Sequence, residues 1–142
     1  MADLHPALLM FIAGRHVETR IIEATLDAGF DLTLAQARLA ARIGEHGTRL
    51  TELAEQAQIT KQSAGFLVDQ LERTGYVERV PDPADARARL VRFTEKGLEC
   101  VKVARKVERQ ILREWRQHLG PERMAALQDA LNSLREITDP YA

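Results

Sequence analysis

Several things are scarce in this chain, and each scarcity excludes something. A single cysteine, Cys100, stands in 142 residues, so no intramolecular disulfide can form and no secreted disulfide scaffold is encoded. No apolar run is long enough to span a bilayer. No basic segment followed by a short apolar stretch opens the chain. The expectation is a cytoplasmic protein without a membrane partner. Neither sign of charge is in excess, with 20 Lys and Arg against 21 Asp and Glu. Any affinity for a polyanion must therefore come from a local patch rather than from net charge. The four histidines (His5, His16, His46, His118) lack ligand spacing, and no phosphate loop or serine–histidine–acid arrangement is present. No metal, no cofactor and no enzymatic activity are expected.

What is present favours helix. Apolar residues make up 45% of the chain and Ala, Leu, Arg and Glu dominate, which suits one domain with an ordinary core. Pro6 reads as the first residue of a helix that runs to Gly29, with Leu8, Leu9, Phe11, Ile12, Val17, Ile21, Ile22 and Leu26 as its apolar set. That surface is wider than one stripe. It suits either a central core helix or a dimer interface. Arg15, His16 and Arg20 lie near one face, as a solvated face or as a pocket for an anionic ligand. Thr33 is the expected N-cap of a second helix, Leu34 to Ile43, stopped by Gly44, with a polar loop Glu45-His46-Gly47 after it.

The chain is organised around residues 50–97. A short helix, Leu50–Ala57, has Leu50, Leu53, Ala54 and Ala57 as its inner face. Gln58 sits at a sharp turn where positive φ is needed. Thr60 is the expected N-cap of the next helix, whose inner residues Ala64, Leu67, Val68 and Leu71 recur at i, i+3, i+4, i+7. Its other face carries Lys61, Gln62, Ser63, Gly65, Phe66, Asp69, Gln70 and Arg73. Cation, amide, hydroxyl and free first-turn N–H groups together are what phosphate anchoring and base-edge hydrogen bonding require. A strand from Tyr76 to Val80, a turn Pro81–Asp85, then Arg87 and Arg89, and a returning strand with Val91 and Phe93 on one face complete a two- to three-stranded wing. Asp85 is spaced to brace the Arg87 guanidinium outward, toward a narrow minor groove. From Thr60 to Gly97 seven cations (Lys61, Arg73, Arg79, Arg87, Arg89, Arg92, Lys96) face six carboxylates (Asp69, Glu72, Glu78, Asp82, Asp85, Glu95), so the fold must segregate them.

This order is that of a winged helix-turn-helix. At the level of motifs the chain resembles the MarR family of bacterial transcription regulators. The likeness lies in Leu32-Thr33-Leu34-Ala35-Gln36, Leu50-Thr51-Glu52-Leu53-Ala54 and Val68-Asp69-Gln70-Leu71-Glu72-Arg73-Thr74-Gly75-Tyr76-Val77. It is strongest in Asp82-Pro83-Ala84-Asp85-Ala86-Arg87-Ala88 and Val91-Arg92-Phe93-Thr94-Glu95-Lys96-Gly97. The resemblance implies a homodimer on palindromic double-stranded DNA. It also implies contacts from Thr60, Lys61, Gln62 and Ser63, and a minor-groove arginine at Arg87 braced by Asp85. Phe66, Arg73 and Arg89 complete the candidate DNA-binding set. Two positions depart from the pattern: Ala86, where a second arginine or a glycine is usual, and Phe93, where leucine is usual. Many members release DNA on binding small aromatic anions. A cleft lined by His16, Arg20 and Arg38 is the expected effector site. Some members sense oxidation through a cysteine near the N-terminus, which the first helix here lacks.

Thr94 is the expected cap of a long helix to Leu119, with an apolar stripe of Leu98, Val101, Ala104, Val107, Ile111, Leu112, Trp115 and Leu119. Lys102, Arg105, Lys106, Arg109, Arg113 and Arg116 form a basic ridge on it. Gly120-Pro121 starts a last helix with a seam of Met124, Leu127, Leu131, Leu134 and Ile137. The fold class is thus mainly α with a small β-wing. Residues 32–94 would form the winged helix-turn-helix, and residues 1–31 and 95–142 the helical dimerisation arms. The expected function is a DNA-binding regulator, a repressor released by a small aromatic or anionic ligand. The alternative is a winged helix that binds only protein.

Overall fold

The computed structural model describes residues 2–141, so the outermost positions of the two arm segments, 1 and 142, lie outside the described residues. Six helices and one antiparallel pair of strands follow one another as α1 (Pro6–Asp27), α2 (Leu34–Ala40), α3 (Leu50–Ala57), α4 (Lys61–Arg73), β1 (Val77–Asp82), β2 (Asp85–Phe93), α5 (Glu95–Leu119) and α6 (Pro121–Thr138). No helix among the described residues is long and apolar enough to cross a membrane.

Local chemistry sets most boundaries. The His5 imidazole accepts the Ala7 N–H and caps α1, and Pro6 fills the first position, where a missing N–H costs nothing. Thr33 and Gln36 exchange bonds across the first turn of α2 as a capping box. Thr60 caps α4 through Ser63 N, and Thr94 caps α5 through Gly97 N. Helices α1, α3 and α4 end alike. The sixth N–H returns to the first carbonyl and the fifth to the second, around Gly29, Gln58 and Gly75 in turn. Gln58 is the one non-glycine residue with positive φ (56°) among the described residues. Its side-chain amide donates to the Glu55 carbonyl, 2.6 Å away, which satisfies an end group of α3 and offsets part of the left-handed cost.

Helix α2 stops three residues before the expected end. Arg42 N and Ile43 N bond to carbonyls three residues back, which tightens the chain and turns Ile43 into the core. Gly44 N then donates to Thr48 Oγ1, and Thr48 exchanges two backbone bonds with Val91. That single bridge is all of the third strand. Within the wing, β1 and β2 pair from Val77↔Phe93 to Pro81↔Arg89, after which Asp82 pairs with Asp85. The turn is therefore narrower than expected. Three residues of β2, Ala86–Ala88, have no partner on β1 and bulge out with Arg87 at their centre.

The core lies in the winged unit. Leu39, Leu53, Ala64, Val68, Leu71, Val77 and Val91 are each at most 2% exposed. Phe93, the aromatic in the leucine position, packs against this cluster. Tyr76 joins the unit to its surroundings: its hydroxyl accepts Asp31 N, its ring meets Phe30 at 6.2 Å, and Lys96 Nζ lies 4.4 Å above it. Gly97 is obligatory, because a Cβ there would run into the Tyr76 carbonyl oxygen. On α5 the expected stripe is split. Val107 and Ile111 are buried, whereas Leu98 and Leu112 stay about half exposed, and Cys100 takes a core position instead. Burial pushes the Cys100 thiol up, so the reactive thiolate is disfavoured.

Candidate nucleic-acid interface

Helix α4 is held from behind. Ala64, Val68 and Leu71 face the core, and the buried Gln36 of α2 donates to Gln70. Gln70, expected on the outer face, is thereby committed inward. The outer face keeps Lys61, Gln62, Ser63, Phe66 and Arg73 exposed, Phe66 at 63%. The Thr60 hydroxyl accepts Ser63 N and donates to Ser63 Oγ, so Thr60 shapes the first turn rather than standing free. The N–H groups of Lys61 and Gln62 have no partner within the helix and point out of its positive end. At Gly65 a Cβ would meet only Leu50 Cδ2, at 3.7 Å. The protein itself does not require glycine there, and its effect is to keep that face of the helix low.

The charges are segregated by pairing. Arg79 binds Asp69 (2.8 Å) and Glu72 (3.0 Å), drawing both α4 carboxylates toward β1. Arg92 binds Glu78 at 2.7 Å. Arg49, at the N-cap of α3, binds Asp82 at 2.7 Å and lies 3.9 Å from Asp85. The Ala84 N–H and then Arg49 hold the Asp82 carboxyl below the usual range. Among the described residues Lys61, Arg73, Arg87 and Arg89 have no ion-pair partner, and all four are exposed. Arg49 and Arg79 do not stand out in the sequence, because their carboxylates become neighbours only after folding.

Asp85 braces the wing differently from the expectation. Its Oδ1 accepts the backbone N–H of Arg87 at 3.0 Å and is not bonded to the guanidinium. An aspartate two residues before an N–H forms this small ring readily. The bulge therefore has a fixed backbone, and the Arg87 head group keeps all its donors.

The expected effector residues do not converge. Arg20 forms a two-pronged pair with Glu114 of α5 (2.7 and 3.1 Å), and Arg38 forms one with Glu18 of α1 (2.6 and 3.0 Å). Glu18 and Glu114 are held below their ordinary values by these arginines. A cavity of about 400 Å³ lies among α1, α2 and α5, with Ile22, Thr25, Leu34, Ala37, Val101 and Ala104 in its wall. Arg38 lines it together with Glu18, but His16 and Arg20 do not. Arg20 is drawn away by a partner 94 residues distant, which no local pattern shows.

The model of the MarR family matches residues 30–88, the span from the approach to α2 to the bulge of the wing. An uncharacterised HTH-type transcriptional regulator of Mycobacterium leprae is 30% identical over 87 residues. That alignment covers 61% of this chain and 61% of the relative, so the chain matches about three fifths of its length. A transcriptional regulator of Thermotoga maritima is 27% identical, with 92% of each chain covered and a TM-score of 0.63. Apo MarR of E. coli, 22% identical, shares the fold over 94% of this chain and 98% of its own, with a TM-score of 0.72. Residues 30–88, the winged helix-turn-helix, are thus similar to the MarR family, and the fold around them is shared with these solved structures along nearly the whole chain.

Proposed function

We propose that this protein is a sequence-specific DNA-binding transcription regulator that acts as a homodimer on an inverted-repeat operator and represses by occupying it. The observation that carries the reading is the charge segregation. The carboxylates Asp69, Glu72, Glu78 and Asp82 are paired off, while Lys61, Arg73, Arg87 and Arg89 stay free on one exposed helix and one exposed loop. In this reading α4 enters the major groove, with Gln62 and Lys61 on base edges, Ser63 and Phe66 beside them and Thr60 fixing the turn. Arg73 and Arg89 meet phosphates, and Arg87, on the bulge that Asp85 fixes, enters the minor groove. Residues 1–31 and 95–142 serve as the dimerisation arms and residues 32–94 as the reading head. The apolar cavity beside Arg38 suits a small aromatic effector, whose anionic group would compete with Glu18 for the arginine. The family is one of transcription regulators and not of enzymes. A protein that works on chromosomal DNA works in the cytoplasm.

The test is selection from a randomised DNA pool at two salt concentrations. The expected result is an enriched inverted repeat with half-sites about one helical turn apart and an affinity that falls steeply with salt. Arg87→Ala should weaken that binding by roughly 1–3 kcal/mol, most at sites with a narrow minor groove. No enrichment and no salt dependence would sink the reading in favour of a winged helix that binds protein.

A further inference from the structure

Helix α6 returns to the reading head and is fastened there by its last described residues. The helix buries none of its side chains, so packing does not hold its end. Asp139 leaves the helix in an extended conformation (φ −117°, ψ 106°), as a residue before proline prefers. Its carboxylate, with the side chain only 16% exposed, gathers three donors: Arg135 Nε of α6 at 3.0 Å, Arg42 Nη2 of the head at 3.4 Å and Tyr141 N at 3.0 Å. Arg42 in turn donates to Gln56 of α3 at 3.3 Å. Two residues on, the Tyr141 hydroxyl donates to Glu55 Oε2 of α3 at 3.0 Å. Two residues, Asp139 and Tyr141, thus tie the end of α6 to the turn after α2 and to α3.

We infer that Asp139 and Tyr141 form a strap that fixes the angle between arm and head, and that they thereby determine which half-site spacing the dimer accepts. The lever is α5. It leaves the head at Thr94 and runs for 25 residues, about 37 Å. Near that end Cys100 packs in the core of the head and Arg38 of the head pairs with Glu18 of α1, so any pivot of the arm turns about this base. A pivot of about 5° displaces the far end by about 3 Å, close to the rise of one base pair. The strap supplies a further attachment at the end of α6, 45 residues later in the chain, from Thr94 to Asp139, and a lever fastened beyond its base pivots less. The consequence for spacing rests on the DNA-binding reading above. The strap itself does not.

The experiment has two arms. In the first, the protein and a chain ending at Thr138 are titrated with the selected operator, with the same operator carrying one or two inserted base pairs, and with a single half-site. One inserted pair rotates the half-sites by about 35° relative to each other. The intact chain should lose about tenfold or more in affinity on insertion, and the shortened chain about threefold or less, because a rigid bivalent binder tolerates only the geometry it is built for. Single half-site affinity should be the same in both. Equal insertion penalties would overturn the proposal. Should the shortened chain fail to fold, Tyr141→Phe with Asp139→Asn in the full chain replaces it, with the same expectation.

The second arm needs no DNA. Spin labels are placed at exposed Glu45 of the head and exposed Gln128 of α6, both as cysteine variants, in chains diluted with unlabelled protein. The buried Cys100 is left alone. The distance distribution should be narrow in the intact chain and broad in the shortened one. Equal widths would refute the strap. A broadening without any operator in the first arm would retain the strap and refute the DNA reading.

Discussion

The reading head and the arm are built from similar residues and finished differently. In the head every helix buries a face against its own chain: α3 by Leu53 and Ala54, α4 by Ala64, Val68 and Leu71, with Val77 and Val91 beneath from the wing. In the arm, α1 has 22 residues and one of them, Thr25, is buried, while α6 has 18 and buries none. Phe11 is 76% and Ile137 84% exposed, with Leu8, Leu9, Met10, Leu131 and Leu134 also open. The head is closed by one chain. The arm presents, at both ends of the sequence, the apolar surface that a second copy would close. The contrast separates two placements of apolar residues, since those at helical spacing in the head make the core and those on α1 and α6 stay exposed.

The same deletion should therefore have different consequences in the two regions. Leu71→Ala empties a fully buried site at the centre of the head and should cost about 3–4 kcal/mol in urea unfolding. A loss under about 1 kcal/mol there would mean that the head core is not the stabilising element. At the joint between head and arm, Gly97→Ala forces a Cβ onto the Tyr76 carbonyl and against the Phe93 ring, and should cost about 2–3 kcal/mol. Leu131→Ala, in the arm, should leave unfolding of the dilute chain nearly unchanged. It should raise the dimer dissociation constant about tenfold, roughly 1.4 kcal/mol, measured by sedimentation. If Leu131→Ala lowered unfolding stability as much as Leu71→Ala, the distinction between the two regions would fail.

What could be read in the sequence was what depends on neighbours along the chain. Caps at Thr33, Thr60 and Thr94, the left-handed turn at Gln58, the stops at Gly29 and Gly75 and the inner face of α4 all follow from local rules, and all are present. What could not be read depends on residues brought together from afar. The short third strand is a single bridge between Thr48 and Val91. Arg20 pairs with Glu114 and Arg49 with Asp82, partners far apart in the chain that no local pattern brings together. Asp85 is spaced to brace the Arg87 guanidinium, yet the atom it holds is the Arg87 backbone N–H. Leu98 and Leu112 obey the helical period as well as Ile111 does. Periodicity alone does not say which side of an apolar stripe meets the protein's own core.

The smallest expected effect distinguishes the two regions by acid. Asp82 in the wing, Asp139 in the strap and Glu18 and Glu114 in the arm are all held below their ordinary values, Asp82 and Asp139 first by backbone N–H groups and Glu18 and Glu114 by Arg38 and Arg20. A carboxyl depressed in the folded state binds fewer protons there than in the unfolded chain. Its contribution is therefore complete above the unfolded value and is lost as the pH falls through the folded one. The decline should begin as the pH drops below about 5 and continue below about 4, and should be modest, since the arginine partners of all four are partly exposed and screened. Salt tells the regions apart. Added salt should weaken the Glu18 and Glu114 pairs, which rest on side-chain cations, more than Asp82, which keeps its bond from Ala84 N. Hydrogen exchange at pH 4 with and without salt is the measurement. Wing amides near Ala84 should stay protected at high salt, whereas protection at the contacts of α1 with α2 and α5 should fall. Equal loss in both would mean that the wing depends on Arg49 and not on the backbone bond inside its own turn.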